Sequence, residues 1–405
     1  MKTQLKLAAL ALLLSTLNFQ LSTCFAQGSL TPPGAPAPTM KTLDQIEART
    51  PISSLPYTIT YGGSYYLTGN LTASAANGIV IAASGVTLDL NGYTIYSSVP
   101  LAQNGGTAIL LNDGITDVTI QNGHIFSGVA HSVLGYFGSG FGAGITGGAS
   151  DITIRNVSVS GCLYQGISVG VGTSKANLVE SCVVQTVGND GIDATTVTHS
   201  VALDCGVDGI YCTEASDSRG QSTSSANGIS ANTVNNCVGD SSAGDGILAG
   251  SALNCSGSSD SGVGLYVGNA ENCFGSSLSS IGLYASTAVN CTGISHGSGS
   301  YGVVASYSAQ NCYGLTFGNG YGISTSVAQN CRGESDASGY GIYADIATGC
   351  YGYCQNVGGI GIHSRNASYC VGENGAGGVA LQSTIASGCI NVSGTTSATY
   401  KYNMP

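Results

Sequence analysis

The sequence predicts an all-β solenoid, a right-handed parallel β-helix of about 14–15 coils, mostly of 18–25 residues. Three observations predict it. The first is a repeat: from Gly246 to Gly394 a Gly-aliphatic pair is followed by Ala-x-Asn-Cys-x-Gly or a close variant, eight times. With the one preceding it, its cysteines fall at 237, 255, 273, 291, 312, 331, 350, 370 and 389, in steps of 18 to 21. A fixed period of this length marks a solenoid. The second is local pattern. Segments such as SGVTLDLNGYTIYS and SDITIRNVSVSG alternate apolar and polar residues and are rich in Val, Ile and Thr, as half-buried strands are. The third is elimination. The leucine-rich frame, the six-residue aliphatic period of left-handed helices and the GGxGxD calcium repeat are all absent.

Residues 1–26 have the form of a secretory signal, with Lys2 and Lys6 before an apolar LAALALLL core and Cys24-Phe25-Ala26 at the cleavage point. Lipid attachment at Cys24 is the alternative. Residues 27–39 are a Pro-rich linker. Residues 40–75 are expected to cap the first coil, beginning with a short helix at 40–49, because an uncovered solenoid end exposes a sheet edge. Coils are expected over 76–394, with 395–405 as a tail. Their landmark is an aliphatic residue, usually after Gly, from Ile79 to Val379. No later run reaches transmembrane length. The chain is therefore expected outside the cell or on its surface.

Removal of the leader would leave 8 basic and 21 acidic residues. That balance excludes the basic footprint that nucleic acid requires. Low charge with 42% hydrophobic residues excludes disorder. Fifteen cysteines in an exported chain suggest disulfides, but their equivalent repeat positions predict a file of buried thiols instead. Cys350 with Cys354, and Cys205 with Cys212, are the places where a bridge is expected if any forms. Asn236, Asn254, Asn272, Asn290, Asn311 and Asn330 precede their cysteines and form an Asn ladder. In the coil at Ile210, Asp217-Ser218 replaces Asn-Cys. The Gly before each landmark implies a positive φ or close packing.

The segments NGIVIAASGVTLDLNGYTI, DVTIQNGHI and NDGI resemble the right-handed β-helix repeat proteins of the pectin-lyase-like superfamily, over about residues 60–394. The resemblance implies an internal Asn ladder and a polysaccharide or cell-surface glycan as partner. It leaves the reaction open, and homo-oligomerisation with it.

Candidate chemistry lies where the repeat is least regular. Asp190, Asp208, Asn227 and Asp245 stand two residues before successive landmarks, and Asp193 stands one after. Stacked carboxylates can share a proton, act as an acid/base pair or bind calcium, with Asp190, Asp208 and Asp245 as the metal ligands. Asn189-Asp190-Gly191-Ile192-Asp193 resembles the Asp-bearing region of polygalacturonases, but the second Asp pair, G-H-G and R-I-K are missing. Lys175, in the insertion VGVGTSKANL, is the candidate base of a lyase. Residues after the landmark point outward. They include Tyr211, Tyr266 and Tyr284, an aromatic row suited to sugar rings. The insertion 126–144 adds Tyr136 and Phe137. Two functions follow: a non-catalytic glycan-binding or adhesive surface protein, and a polysaccharide lyase or hydrolase acting through the acidic stack.

Overall fold

The computed structural model describes residues 48–74, 77–100, 106–170 and 176–404. The expected leader, linker and nearly all of the expected helix, together with Lys175, lie outside the described residues. Among the described residues every regular element is a β-strand. Apart from one hairpin and an isolated bridge, neighbouring strands pair in parallel. The result is a parallel β-solenoid of about 18 coils.

Stacking of the landmark residues builds the core. Ile79 pairs with Ile109, Ile109 with Ile145, and the file continues through Ile192, Ile247, Leu283 and Ile323 to Ile362. These side chains are fully buried. Each contributes about 1.5–3 kcal/mol of burial. In the next coil Ile362 pairs with Leu381, while Val379 pairs with Ile360, so Leu381 and not Val379 is the landmark there. The expected 14–15 coils are too few for a related reason. Thr50–Ile52 already pairs with Gly63–Leu67, Tyr57–Ile59 with Ile79–Ile81, and Thr395–Tyr402 with Val379–Ser387. Residues 50–73 and 395–402 thus carry ladder strands without the Gly-aliphatic mark.

The glycine before the landmark is required by proximity. A Cβ on Gly264 would lie 2.6 Å from the Gly282 carbonyl oxygen of the next coil. The glycines two residues after each Cys close the coil from the other side: a Cβ on Gly257 would lie 2.1 Å from the Gly264 oxygen, and one on Gly275 2.2 Å from that of Gly282. Two glycine files meet across the interior, which keeps an 18-residue coil thin.

The Asn file is a surface feature, which corrects the expectation of an internal ladder. All six Asn residues have φ between 52° and 54°. They turn the chain in the left-handed region, and their side chains are exposed. Asn272 Nδ2 donates to Asn254 Oδ1 at 3.2 Å, and Asn290 to Asn272 likewise at 3.2 Å. Asn is favoured here because it tolerates left-handed φ. Gly takes the turn at Gly349 and Gly388. Asn272→Gly is therefore expected to fold with little loss, whereas Asn272→Ala loses about 1–2 kcal/mol in urea unfolding.

The cysteine side chains of the file point inward and are buried. All fourteen cysteines of the described residues are free, including the two pairs named as the places for a bridge if any formed. Cys205 pairs in register with Ser222, and Cys354 with Ser335, so both belong to a different file from Cys350. That second file is a buried row of hydroxyls. Ser241, Ser259 and Ser277 each donate to a carbonyl 15 residues earlier, at 2.6, 2.6 and 2.7 Å. Each also accepts the N–H three residues later. This row closes the turn that the Ser-rich sequence left unmarked.

Candidate functional site

The solenoid brings Asp190, Asp193 and Asp208 together and gives the stack a backbone role. Asp190 Oδ1 accepts the N–H of Asp208 at 3.1 Å, and Asp208 Oδ1 accepts that of Asn227 at 2.6 Å. Asn227 Oδ1 accepts from Asp245 at 3.0 Å, and Asp245 Oδ1 from Val263 at 2.9 Å. Each side chain caps the turn of the next coil, and an amide does it as well as a carboxylate. Asp193 accepts from the Ser168 hydroxyl at 2.9 Å and stands beside Tyr211 in the ladder. Burial raises the pKa of Asp190 and of Asp245 above the usual aspartate range. Burial, opposed by the Asn227 N–H and helped by the Asp190 charge, pushes Asp208 up to about 6. Such a group can hold a proton near neutrality. Among the described residues, no three carboxylate, imidazole or thiol groups converge as metal ligands. Asp190, Asp208 and Asp245 are strung along the file, and calcium gains no support from their placement.

The 126–144 insertion packs back on the coils. Ala130–Ser132 and Gly135–Phe137 form an antiparallel hairpin. Tyr136 donates to Asp204 Oδ1 at 3.2 Å and bonds the Thr223 hydroxyl at 2.9 Å. Its ring stacks on His131 at 4.2 Å, and His131 Nδ1 meets Asp204 Oδ1 at 2.5 Å. A Cβ on Gly206 would come within 2.9 Å of the Tyr136 ring, so small residues make the seat. Burial raises the pKa of the Tyr136 phenol. Phe141 is buried in the core, whereas Phe137 and the hairpin tip at Val133 and Leu134 are exposed. Tyr136 is thus held as a clasp.

The outward file after the landmark is continuous. Tyr211 is followed by Ser230, Leu248, Tyr266, Tyr284, Val304, Ser324, Tyr343, His363 and Gln382. Tyr266 and Tyr284 stack at 4.7 Å and 6°. Their facing sides are spent on each other, and the Tyr284 hydroxyl meets that of Ser306 at 3.3 Å. Tyr211 has Asp193 and Ser230 as ladder neighbours, so the row is interrupted.

The aromatic surface widens in the last coils. Tyr343 and His363 stack at 5.1 Å, and Tyr321 and Tyr340 join them, with Tyr321 4.7 Å from Tyr340 and 5.3 Å from Tyr343. Beside them runs a groove of about 510 Å³, lined by Tyr343, Asp345, His363, Arg365, Gln382 and Ser397 among others. His363 Nδ1 and Gln382 Oε1 are 3.0 Å apart, and Arg365 lies 3.5 Å from Asp345 with both side chains exposed. Tyr343 and His363 belong to the outward file, but the groove itself was not anticipated. The Tyr standing directly before Gly at 301, 321 and 340 was a signal for the aromatic surface beside it. Those tyrosines thicken the row only where coils lengthen beyond 18 residues.

No family model, curated protein or solved structure matches the chain. No helix of the described residues is long and apolar enough to cross a membrane.

Proposed function

We propose that this chain is an exported right-handed β-helix protein of the pectin-lyase-like type that binds a glycan at the cell surface without cleaving it. The supporting observation is the groove beside Tyr343 and His363. It sets Tyr343 and His363 beside the planar polar groups of Arg365, Gln382 and Asp345, the mixture that orients a sugar by contact with ring edges and paired hydrogen bonds. The backbone-capping role of Asp190, Asp208 and Asp245 accounts for the acidic stack without catalysis. Calorimetry against a panel of pectin, alginate and neutral glycans tests this. Tyr343→Ala and Arg365→Ala are expected to weaken binding about tenfold each, or about 1.4 kcal/mol. Unchanged affinity in both variants rejects the groove.

A second reading, a lyase or hydrolase using Asp190, Asp193 and Asp208, draws support from the raised pKa of Asp208, which suits a general acid. Release of unsaturated products or reducing ends, lost in Asp208→Asn, would establish it in place of the first.

A further inference from the structure

We infer that the strand Thr395–Tyr402 is an interaction surface for a second copy of this chain, and that the charge of Lys401 keeps it unoccupied. The strand pairs with Val379–Ser387, and among the described residues nothing pairs with its other edge. An open edge of eight residues presents a row of free N–H and C=O groups, a template for another strand. The strand is rich in Thr and Tyr, and Tyr400 and Tyr402 are each 55% exposed. That composition favours strand pairing. Lys401 is the one charged side chain between Asn374 and Pro405, so two such ends oppose no other side-chain charges.

The place of Lys401 in the coil makes its charge effective. It continues the inward file of Ala347, Ala367 and Ala386, none more than 1% exposed. Two further inward files turn polar in the same coil: Leu381 is followed by Thr396, and Gly372 by Asn391. The first coil differs, since Ile52 and Ile59 are apolar and fully buried there. Lys401 is exposed, and its Nζ reaches back to the Thr396 carbonyl at 3.3 Å. Two identical edges that meet about a two-fold axis pair antiparallel, with inward side facing inward side. A second coil placed there would enclose the Lys401 ammonium between two coil ends with no carboxylate to pair it. The cost of burying an unpaired charge opposes that contact. Removing the charge removes the cost and leaves the edge unchanged. A docked copy would also abut the groove, whose lining includes Ser397 and Thr399 of this strand.

Analytical ultracentrifugation of the full chain over a concentration series tests this with Lys401→Ala, Lys401→Gln and Lys401→Arg. Alanine holds the position in the three preceding coils and glutamine keeps most of the stem, so both variants are expected to fold with native circular dichroism. Both should self-associate at least about tenfold more tightly than wild type, and the Arg variant should match wild type. Adding Ala398→Lys to Lys401→Ala returns a charge to the inward side of the strand, because Ala398 pairs with Ser383 and packs against the core. That double variant should associate no more than wild type. Hydrogen exchange of the Lys401→Ala assembly should slow at residues 395–402. Equal association of wild type and the Ala and Gln variants would overturn the proposal. So would an Arg variant that associates like Ala, a double variant that still associates, or protection confined to another segment.

Discussion

Asp208→Asn is expected to stabilise the protein by about 1–2 kcal/mol at pH 8 and to leave it unchanged at pH 4. Burial lifts the native carboxyl from an ordinary 3.8 to about 6. Between those values the folded chain binds more protons than the unfolded one, so stability falls as pH rises through the window. The penalty is absent below about 3.8 and complete above about 6. Its upper limit is about 3 kcal/mol, which partial solvent access screens to about 1–2 kcal/mol. Asparagine removes the charge and keeps the oxygen that accepts the Asn227 N–H, as Asn227 does for Asp245 one coil on. Asp208→Ala loses that acceptor as well, and should cost about 1–3 kcal/mol relative to Asp208→Asn. Urea unfolding of the three proteins at pH 4 and pH 8 separates these outcomes. An Asn variant no more stable than wild type at pH 8 would contradict the buried-charge account, and an Ala variant as stable as the Asn variant would contradict the capping.

Gly257→Ala is expected to lose at least about 3 kcal/mol, the upper end of overpacking costs. The added methyl would stand 2.1 Å from the Gly264 oxygen and 3.3 Å from the Leu265 Cα, both backbone atoms that cannot turn aside. Coils are stabilised by their neighbours, so the damage should appear as local opening around residue 257. Limited proteolysis would then cut there before global unfolding. Gly69→Ala is the control. No atom lies within 4 Å of its Cβ position and its φ is not positive, so it should match wild type to about 0.5 kcal/mol. Equal behaviour of the two variants would refute the glycine contact.

How much of this was legible in the sequence depended on whether a residue's role was repeated. The landmark aliphatics and the file of cysteines recur at one point of each coil, and recurrence at a fixed period means stacking in any solenoid. Asp217-Ser218 could be placed in the cysteine file because its spacing survived the change of residues. The first and last coils were missed because Thr50–Ile52, Tyr57–Ile59 and Thr395–Tyr402 join the ladders without the Gly-aliphatic mark.

The sequence by itself determined the solenoid, the inward landmark file and the outward file that carries Tyr266 and Tyr284. Period and alternation suffice for these, because strand side chains alternate and coils stack in register. Only the tertiary structure decided which way the turn residues face. Asn272 and Asp208 also recur at fixed points of successive coils, but a turn has no alternation from which direction can be read. The left-handed φ sends the Asn side chains outward, and hydrogen bonds to the next coil tie the Asp190 and Asp208 carboxylates to backbone. The groove at Tyr343 likewise depends on side chains from several coils meeting on one face, a convergence that spacing along the chain does not encode.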